Sequence, residues 1–436
     1  MPVAPDFDLS EQNLKQLRYG NYENGTRALF FWLWLADEKA LDFRNLVIWL
    51  SGGPGCSSLA YGMFEETGPI ELRDKSKGPR LRRLTSWTSR ANVLYVEQPI
   101  PTGFSTGKAA SADDFAASSE FYHFLNNLFQ VFPEVIVDDD QFLYLVGESY
   151  GGIYVPYRAS QILSSVETWG LKGILLINGL LGDYTATTPV VTWDFVKANN
   201  DKWLHIPAAN LTVIKNASDT CHLTDYYAKN VRFPQTSHML PYGRDDRCDV
   251  WNTYTSAAQA VNPEFNIYDI RWQDHEHGFA DNTYFGDPNR GGDSNPLNRT
   301  DVRQYIHAPV GKPFYPCTPD YLYPAGNSNL NPARSILPYV VEKLDRTIVA
   351  TAQYDSIIIS NGTFLALQNM TWAGQLGFHD DGHNRAFLNA EGKKAGSYTE
   401  RDNLAFVRVA ESGHMIPSDD PQSGLALLDA LLGRRD

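Results

Sequence analysis

Seven short apolar runs constrain the fold of this chain: residues 28–36 (ALFFWLWLA), 46–51 (LVIWLS), 92–97 (NVLYVE), 142–148 (FLYLVGE), 173–178 (GILLIN), 347–353 (TIVATAQ) and 404–411 (LAFVRVAE). Several are apolar at every position instead of every second one, as expected of strands covered on both faces. Helical patterns lie between them. Residues 111–132 open on Ser111 as an N-cap, followed by acidic residues and apolar positions at helical spacing. Residues 154–167 and 421–433 carry two more helical patterns. Strands alternating with helices predict an α/β fold, a mostly parallel central sheet with helices on both faces. The rhythm fails between 184 and 310, a stretch rich in Tyr, Trp, Asn, Asp and Pro. It reads as an inserted cap, with 1–183 and 311–436 as the two parts of the core.

The run at 142–148 leads into GESYGG (147–152) and then a helical pattern. Gly147 and Gly151 flank the serine, so strand and helix can approach closely while Ser149 sits in a sharp elbow. Such a turn lifts a hydroxyl above the sheet edge. It also aims the Tyr150 N–H, at a helix start, at the place where an oxyanion would form.

A serine hydroxyl needs a base, and the base needs an orienting acid. In the α/β-hydrolase arrangement both follow the serine, acid before histidine, on loops after later strands. His414 follows the run at 404–411, between Gly413 and Pro417. Asp355 follows the run at 347–353, whereas Asp345 and Asp402 precede their strands and are worse placed. The expected triad is therefore Ser149, Asp355 and His414. Two other polar clusters, HDDGH (379–383) and DHEH (274–277), read as loops, and no metal site is expected. The stretch GFSTGKA (103–109) lacks the glycine and hydroxyl that a phosphate loop requires.

Composition narrows the partners. The formal charge is −14, which disfavours nucleic acid and anionic lipid, since both call for basic patches. No apolar run reaches the roughly 18 residues of a membrane span. The N-terminus shows no signal-peptide pattern. Six Asn-x-Ser/Thr sequons, at Asn24, Asn210, Asn216, Asn298, Asn361 and Asn369, nevertheless point to a secreted or vacuolar/lysosomal protein. So do the four cysteines, Cys56, Cys221, Cys248 and Cys317, which form no C-x-x-C pair. They allow three pairings; Cys221 with Cys248 would close a local loop and leave Cys56 with Cys317. Each bridge would add about 3–4 kcal/mol. The alternative is four buried thiols.

A second glycine loop, SGGPGCSS (51–58), follows the run at 46–51, and bare backbone there can offer N–H groups to an anion. Here the chain resembles the serine carboxypeptidases. The likeness is carried by ENGTRALFFWLW (23–34), SGGPGCSS (51–58), EETGP (65–69), SWTSRANVLYVEQPIPTGFS (86–105), GESYGGIYVP (147–156), NRTDVRQYIHAP (298–309), YDSIIISNGT (354–363) and GHMIPSDDP (413–421). It is weakest in the cap. The resemblance implies the same triad, an oxyanion hole from the backbone N–H groups of Gly53 and Tyr150, and no cofactor. It assigns a peptide's terminal carboxylate to Ser51, Gly52 and Glu148, with Glu66 as partner of Glu148. Two adjacent carboxyls keep a proton at acidic pH, so peptide binding is expected to weaken towards neutrality. One departure stands out: the family usually has Asn where this chain has Ser51. The resemblance implies a peptide substrate, with a small acyl substrate, acyl transfer or ester hydrolysis on the same triad as the alternative.

Overall fold

The apolar runs become strands of one sheet, with nine strands among the described residues. The computed structural model describes residues 27–37, 44–72, 78–82, 84–133, 142–182, 184–239, 248–272, 285, 295–324, 326–327 and 331–434. The sequon at Asn24 and the DHEH cluster at 274–277 lie outside them. In chain order the strands are β1 (Phe30–Trp34), β2 (Asn45–Leu50), β3 (Asn92–Glu97), β4 (Phe142–Glu148), β5 (Leu171–Ile177), β6 (Arg346–Ala352), β7 (Ala386–Leu388), β8 (Lys394–Arg401) and β9 (Leu404–Val409). Across the sheet the order is β1-β3-β2-β4-β5-β6-β9-β8-β7. The six central strands run parallel; β1 at one edge and β8 and β7 at the other are antiparallel.

The pleat explains the unbroken apolar runs. Along β2, Leu46, Ile48 and Leu50 enter one core cluster and Val47 and Trp49 the opposite one. The first cluster is covered by α1 (Asp114–Val131) and α2 (Gly151–Leu163), through Phe121, Phe124, Leu125, Val155 and Ala159. The second lies under the C-terminal helix Pro421–Leu431 and the π-helical segment Ser58–Thr67, through Leu425, Leu428, Leu59 and Phe64. This is the doubly covered parallel sheet expected of the α/β-hydrolase class. Among the described residues no helix is long and apolar enough to cross a membrane.

Several sequence expectations need correction. The cap of α1 is Asp113, not Ser111: the Asp113 carboxylate accepts the Ala116 N–H at 2.9 Å. The apolar pattern of the sequence does not mark strands β7 and β8 or the helical segment at 58–67. The helices Tyr184–Asn199, Ala208–Thr220 and Val250–Val261 build a third cluster around Val191, Ile214 and Tyr254. It meets the core through Tyr354, Ile359 and Leu365. Leu297 and Ala308 pack into the second sheet cluster.

Candidate active site

Ser149 leaves β4 with φ 60°, a left-handed conformation unusual for a residue with a side chain. Its neighbours lock that geometry. The Ser149 N–H donates to Ile177 O at 3.0 Å, and Gly152 N and Leu180 N both donate to Ser149 O at 2.9 Å. Tyr150 caps the start of α2. The glycine loop follows β2, the strand next to β4, so Ser51 and Gly52 lie alongside Glu148 and Ser149. Gly53 has φ 109°, which favours a residue without Cβ.

The glycine loop is fastened from both sides. Cys56 N donates to Gly52 O at 3.0 Å, and a disulfide joins Cys56 to Cys317. Ser57 N donates to Pro316 O at 2.7 Å and Thr318 N to Gly55 O at 2.9 Å. The Ser57 hydroxyl donates to Glu97 Oε1 at 2.6 Å and accepts the N–H groups of Leu59 and Ala60, starting the 58–67 segment. Burial pushes Glu97 up to about 7. A second disulfide joins Cys221 to Cys248, so no free cysteine remains.

Asp355 lies just past β6, and His414 lies on the turn after β9. The pair is buried: Asp355 is 0% and His414 2% exposed. Asp355 Oδ1 accepts the N–H groups of Ile357 and Ile358 at 2.8 and 2.9 Å. Its Oδ2 lies 2.6 Å from His414 Nδ1. An imidazole that donates through Nδ1 keeps Nε2 as the acceptor available to a hydroxyl. The Tyr268 ring stands edge-on to His414 at 5.2 Å, and Tyr268 O accepts the His414 N–H at 2.7 Å.

Glu66, on the 58–67 segment, and Glu148, at the end of β4, are buried and share a hydrogen bond. Among the described residues, no donor other than the facing carboxyl reaches either oxygen of Glu66 or Oε1 of Glu148. Burial, more than any neighbour, raises Glu66 to about 8. Burial, then the Glu66 charge, raises Glu148 well above the ordinary carboxyl range. Such a pair holds a proton between its members. Beside it, Ser51 is 2% exposed, and its hydroxyl accepts the Trp49 indole N–H at 2.9 Å.

Further residues, whose part in the site chain order and strand position do not mark, brace these groups. Asn178 Nδ2 donates to His414 O at 2.6 Å. Asp419 accepts the Gly413 N–H at 2.8 Å, and its charge raises Glu66 further. Asp114 and Arg158 form a fully buried ion pair whose carboxylate also accepts from Tyr323 OH at 2.6 Å. The Tyr150 hydroxyl reaches that carboxylate at 3.4 Å and accepts from Asn327 at 2.8 Å. In the HDDGH loop, His379 Nε2 pairs with Gln375 at 2.9 Å, and the described residues contain no cluster fit to hold a metal.

Known proteins resemble this chain along most of its length. The sequence pattern of the serine carboxypeptidase family matches residues 11–434. Serine-type carboxypeptidase F of Aspergillus niger is 31% identical, over 99% of this chain and 85% of its own. A carboxypeptidase Y homolog of Arthroderma benhamiae is 30% identical, over 100% of this chain and 85% of its own. Among solved structures, Kex1(Δ)p, a prohormone-processing carboxypeptidase from Saccharomyces cerevisiae, superposes with a TM-score of 0.72. That match covers 96% of this chain and 90% of the other at 23% identity, and it speaks to the fold. With its profile matched from end to end of the sheet and its relatives aligned along their length, this chain belongs to the serine carboxypeptidase family of hydrolases.

Proposed function

We propose that the protein removes C-terminal residues from peptides through an acyl-enzyme on Ser149, and does so best at acidic pH. Ser149 Oγ attacks the carbonyl carbon of the last peptide bond while His414 Nε2 takes its proton. Asp355 holds the ring and balances the imidazolium. The Gly53 and Tyr150 N–H groups receive the oxyanion. Collapse breaks the C–N bond, His414 gives its proton to the leaving amine, and the terminal amino acid departs. Water, deprotonated by His414, then hydrolyses the ester and returns Ser149 Oγ–H. Every step uses side chains and backbone of this chain, without a cofactor.

The observation that carries the exopeptidase reading is the carboxyl pair beside the elbow. Glu148 immediately precedes Ser149 and meets Glu66 in a dry site where a proton is retained. A protonated Glu148 donates to a peptide's terminal carboxylate, alongside the Gly52 backbone and Ser51. Once the proton is lost, two like charges face each other and binding weakens. Sign and location together select a substrate ending in a free carboxylate. The test is a C-terminally varied peptide library read by mass spectrometry, with free-acid and amidated peptides compared and Ser149→Ala as control. Release of terminal amino acids from free acids alone, with KM rising from acidic to neutral pH, is expected. Equal cleavage of amidated peptides, or a flat KM, contradicts the reading.

Ser51 favours a second reading, acyl transfer or small-ester hydrolysis on the same triad. Its hydroxyl already accepts from Trp49 and has a single hydrogen to offer a carboxylate. Supplying an acyl donor with an alcohol distinguishes the two: ester product exceeding hydrolysis supports transfer. The division into a core of 1–183 and 311–436 with a cap at 184–310 belongs to the same proposal; the third cluster supports it for the helices Tyr184–Asn199, Ala208–Thr220 and Val250–Val261, while Leu297 and Ala308 pack with the sheet.

A further inference from the structure

The last residue of β5 and those just past it touch every chain segment that carries a member of the proposed triad. Ile177 O accepts the Ser149 N–H at 3.0 Å, and Leu180 N donates to Ser149 O at 2.9 Å. Between them stands Asn178, wholly buried and at φ 42°. Its N–H donates to Ala350 O at 2.8 Å. Its Oδ1 accepts the Ala352 N–H at 2.8 Å, three residues before Asp355. Its Nδ2 donates to His414 O at 2.6 Å, with Gly413 O at 3.3 Å. One side-chain amide thus spans from β5 to the end of β6 and to the histidine turn.

That span falls where the sheet stops providing order. The β6–β9 ladder ends at Ala352 and Val409. Beyond it, Gln353 N donates to Val409 O at 3.0 Å and Tyr354 N to Ser412 O at 3.0 Å. The turn is also gripped by Tyr268 O at the His414 N–H and by Asp419 at the Gly413 N–H. The Tyr268 segment also reaches the Asp355 strand, where Ser356 N donates to Ile267 O at 3.0 Å and Ile270 N to Tyr354 O at 3.2 Å, but neither grip reaches the serine elbow. An asparagine suits the position on three counts. It tolerates a left-handed backbone, it carries a donor and an acceptor on one short stem, and its length closes both bonds. Aspartate keeps the acceptor and loses the donor; alanine loses both.

We propose that Asn178 is a positioning residue: it holds the His414 turn in register with the Asp355 strand and the Ser149 elbow, so that ring, carboxylate and hydroxyl share one frame. This rests on reading Ser149, Asp355 and His414 as the triad. The test compares Asn178→Asp and Asn178→Ala with the wild-type chain. Active sites are counted by a fluorophosphonate that labels Ser149, so kcat refers to folded protein only. The expected result is kcat lower by about 10- to 100-fold, the scale of a one-ångström misplacement. KM for a blocked dipeptide should stay within about a factor of two. The downfield proton resonance of the His414–Asp355 hydrogen bond should move or vanish as well. Should Asn178→Ala not fold, Asn178→Asp, which keeps the shape and the bond to Ala352, carries the test. A lowered thermal midpoint with unchanged kcat per labelled site and an unmoved resonance assigns Asn178 a purely structural role and overturns the proposal. Ser149→Ala separates the two levels. If it retains turnover, the triad itself fails; if it is inert while Asn178→Asp matches wild type, only the role of Asn178 fails.

Discussion

Gly52 and Ser149 touch with no space for a side chain between them: a methyl group on Gly52 would lie 2.8 Å from Ser149 Cβ, 2.6 Å from Glu148 O and 2.5 Å from Tyr150 N. Two of those three atoms are backbone and cannot move aside alone. Gly52→Ala therefore separates the glycine loop from the elbow, and with it the two N–H groups assigned to the oxyanion. Losing one such donor costs about 10²–10³ in rate. We expect kcat/KM on a blocked dipeptide to fall by at least about 100-fold while far-ultraviolet circular dichroism is unchanged. A Gly52→Ala protein with wild-type turnover would show that the loop plays no part.

The buried carboxyls make stability depend on pH in a defined direction. Glu66 is raised to about 8 and Glu97 to about 7, both chiefly by burial. An acid raised in the folded state favours the fold in its neutral form. That contribution is complete below about 4.5, the ordinary glutamate value, and is lost as pH rises towards 7 and 8. The thermal midpoint should drop between pH 4.5 and 8. Glu97→Gln should remove part of the slope below 7, and Glu66→Gln should flatten it up to 8. Calorimetry across that range decides; a midpoint that climbs with pH would reverse the sign and sink the argument.

Asp114 and Arg158 are each 0% exposed in their side chains and 3.1 Å apart. Removing one partner leaves a charge buried without compensation, which costs about 3–5 kcal/mol. Asp114→Ala should therefore lower stability on that scale in urea unfolding. It also releases Tyr323 and Asn327 from the carboxylate and, through Asn327, the Tyr150 hydroxyl. A loss of less than about 1 kcal/mol would mean that water or another residue repairs the site.

The sequons differ in what their asparagines already do. Asn298 accepts from Phe314 N at 2.8 Å and from Arg303 at 2.5 Å, and donates to Phe314 O at 3.2 Å. Asn369 accepts the Met239 N–H at 2.7 Å. Asn216 is exposed on the helix Ala208–Thr220. Peptide mapping of protein made in a glycosylating host should find sugar on Asn216 and none on Asn298 or Asn369. Full occupancy at Asn298 would contradict the folded arrangement around Arg303.

Much of the sheet was legible because burial on both faces writes apolar residues at every position. The runs at 92–97 and 142–148 match β3 and β4 residue for residue. Strands β7 and β8 escaped because they lie towards the sheet's edge, where β8 reads KAGSYTER and Lys, Ser, Thr, Glu and Arg make five of its eight positions polar. The segment at 58–67 was hidden by Gly62, which is there because a Cβ would strike the Trp49 indole at 2.1 Å. Chain order and strand position marked Ser149, Asp355 and His414, since loops after parallel strands gather at one edge. Asn178 and Asp419 left no such mark. Each acts on a backbone group of the histidine turn, and Asn178 does so across 236 positions in sequence, a relationship no local spacing encodes.

The bond between Cys56 and Cys317 spans 261 positions of sequence. Any single backbone cut by a protease between those cysteines therefore yields two polypeptides that travel as one particle under oxidising conditions. They become separable on a denaturing gel only after a thiol reductant is added.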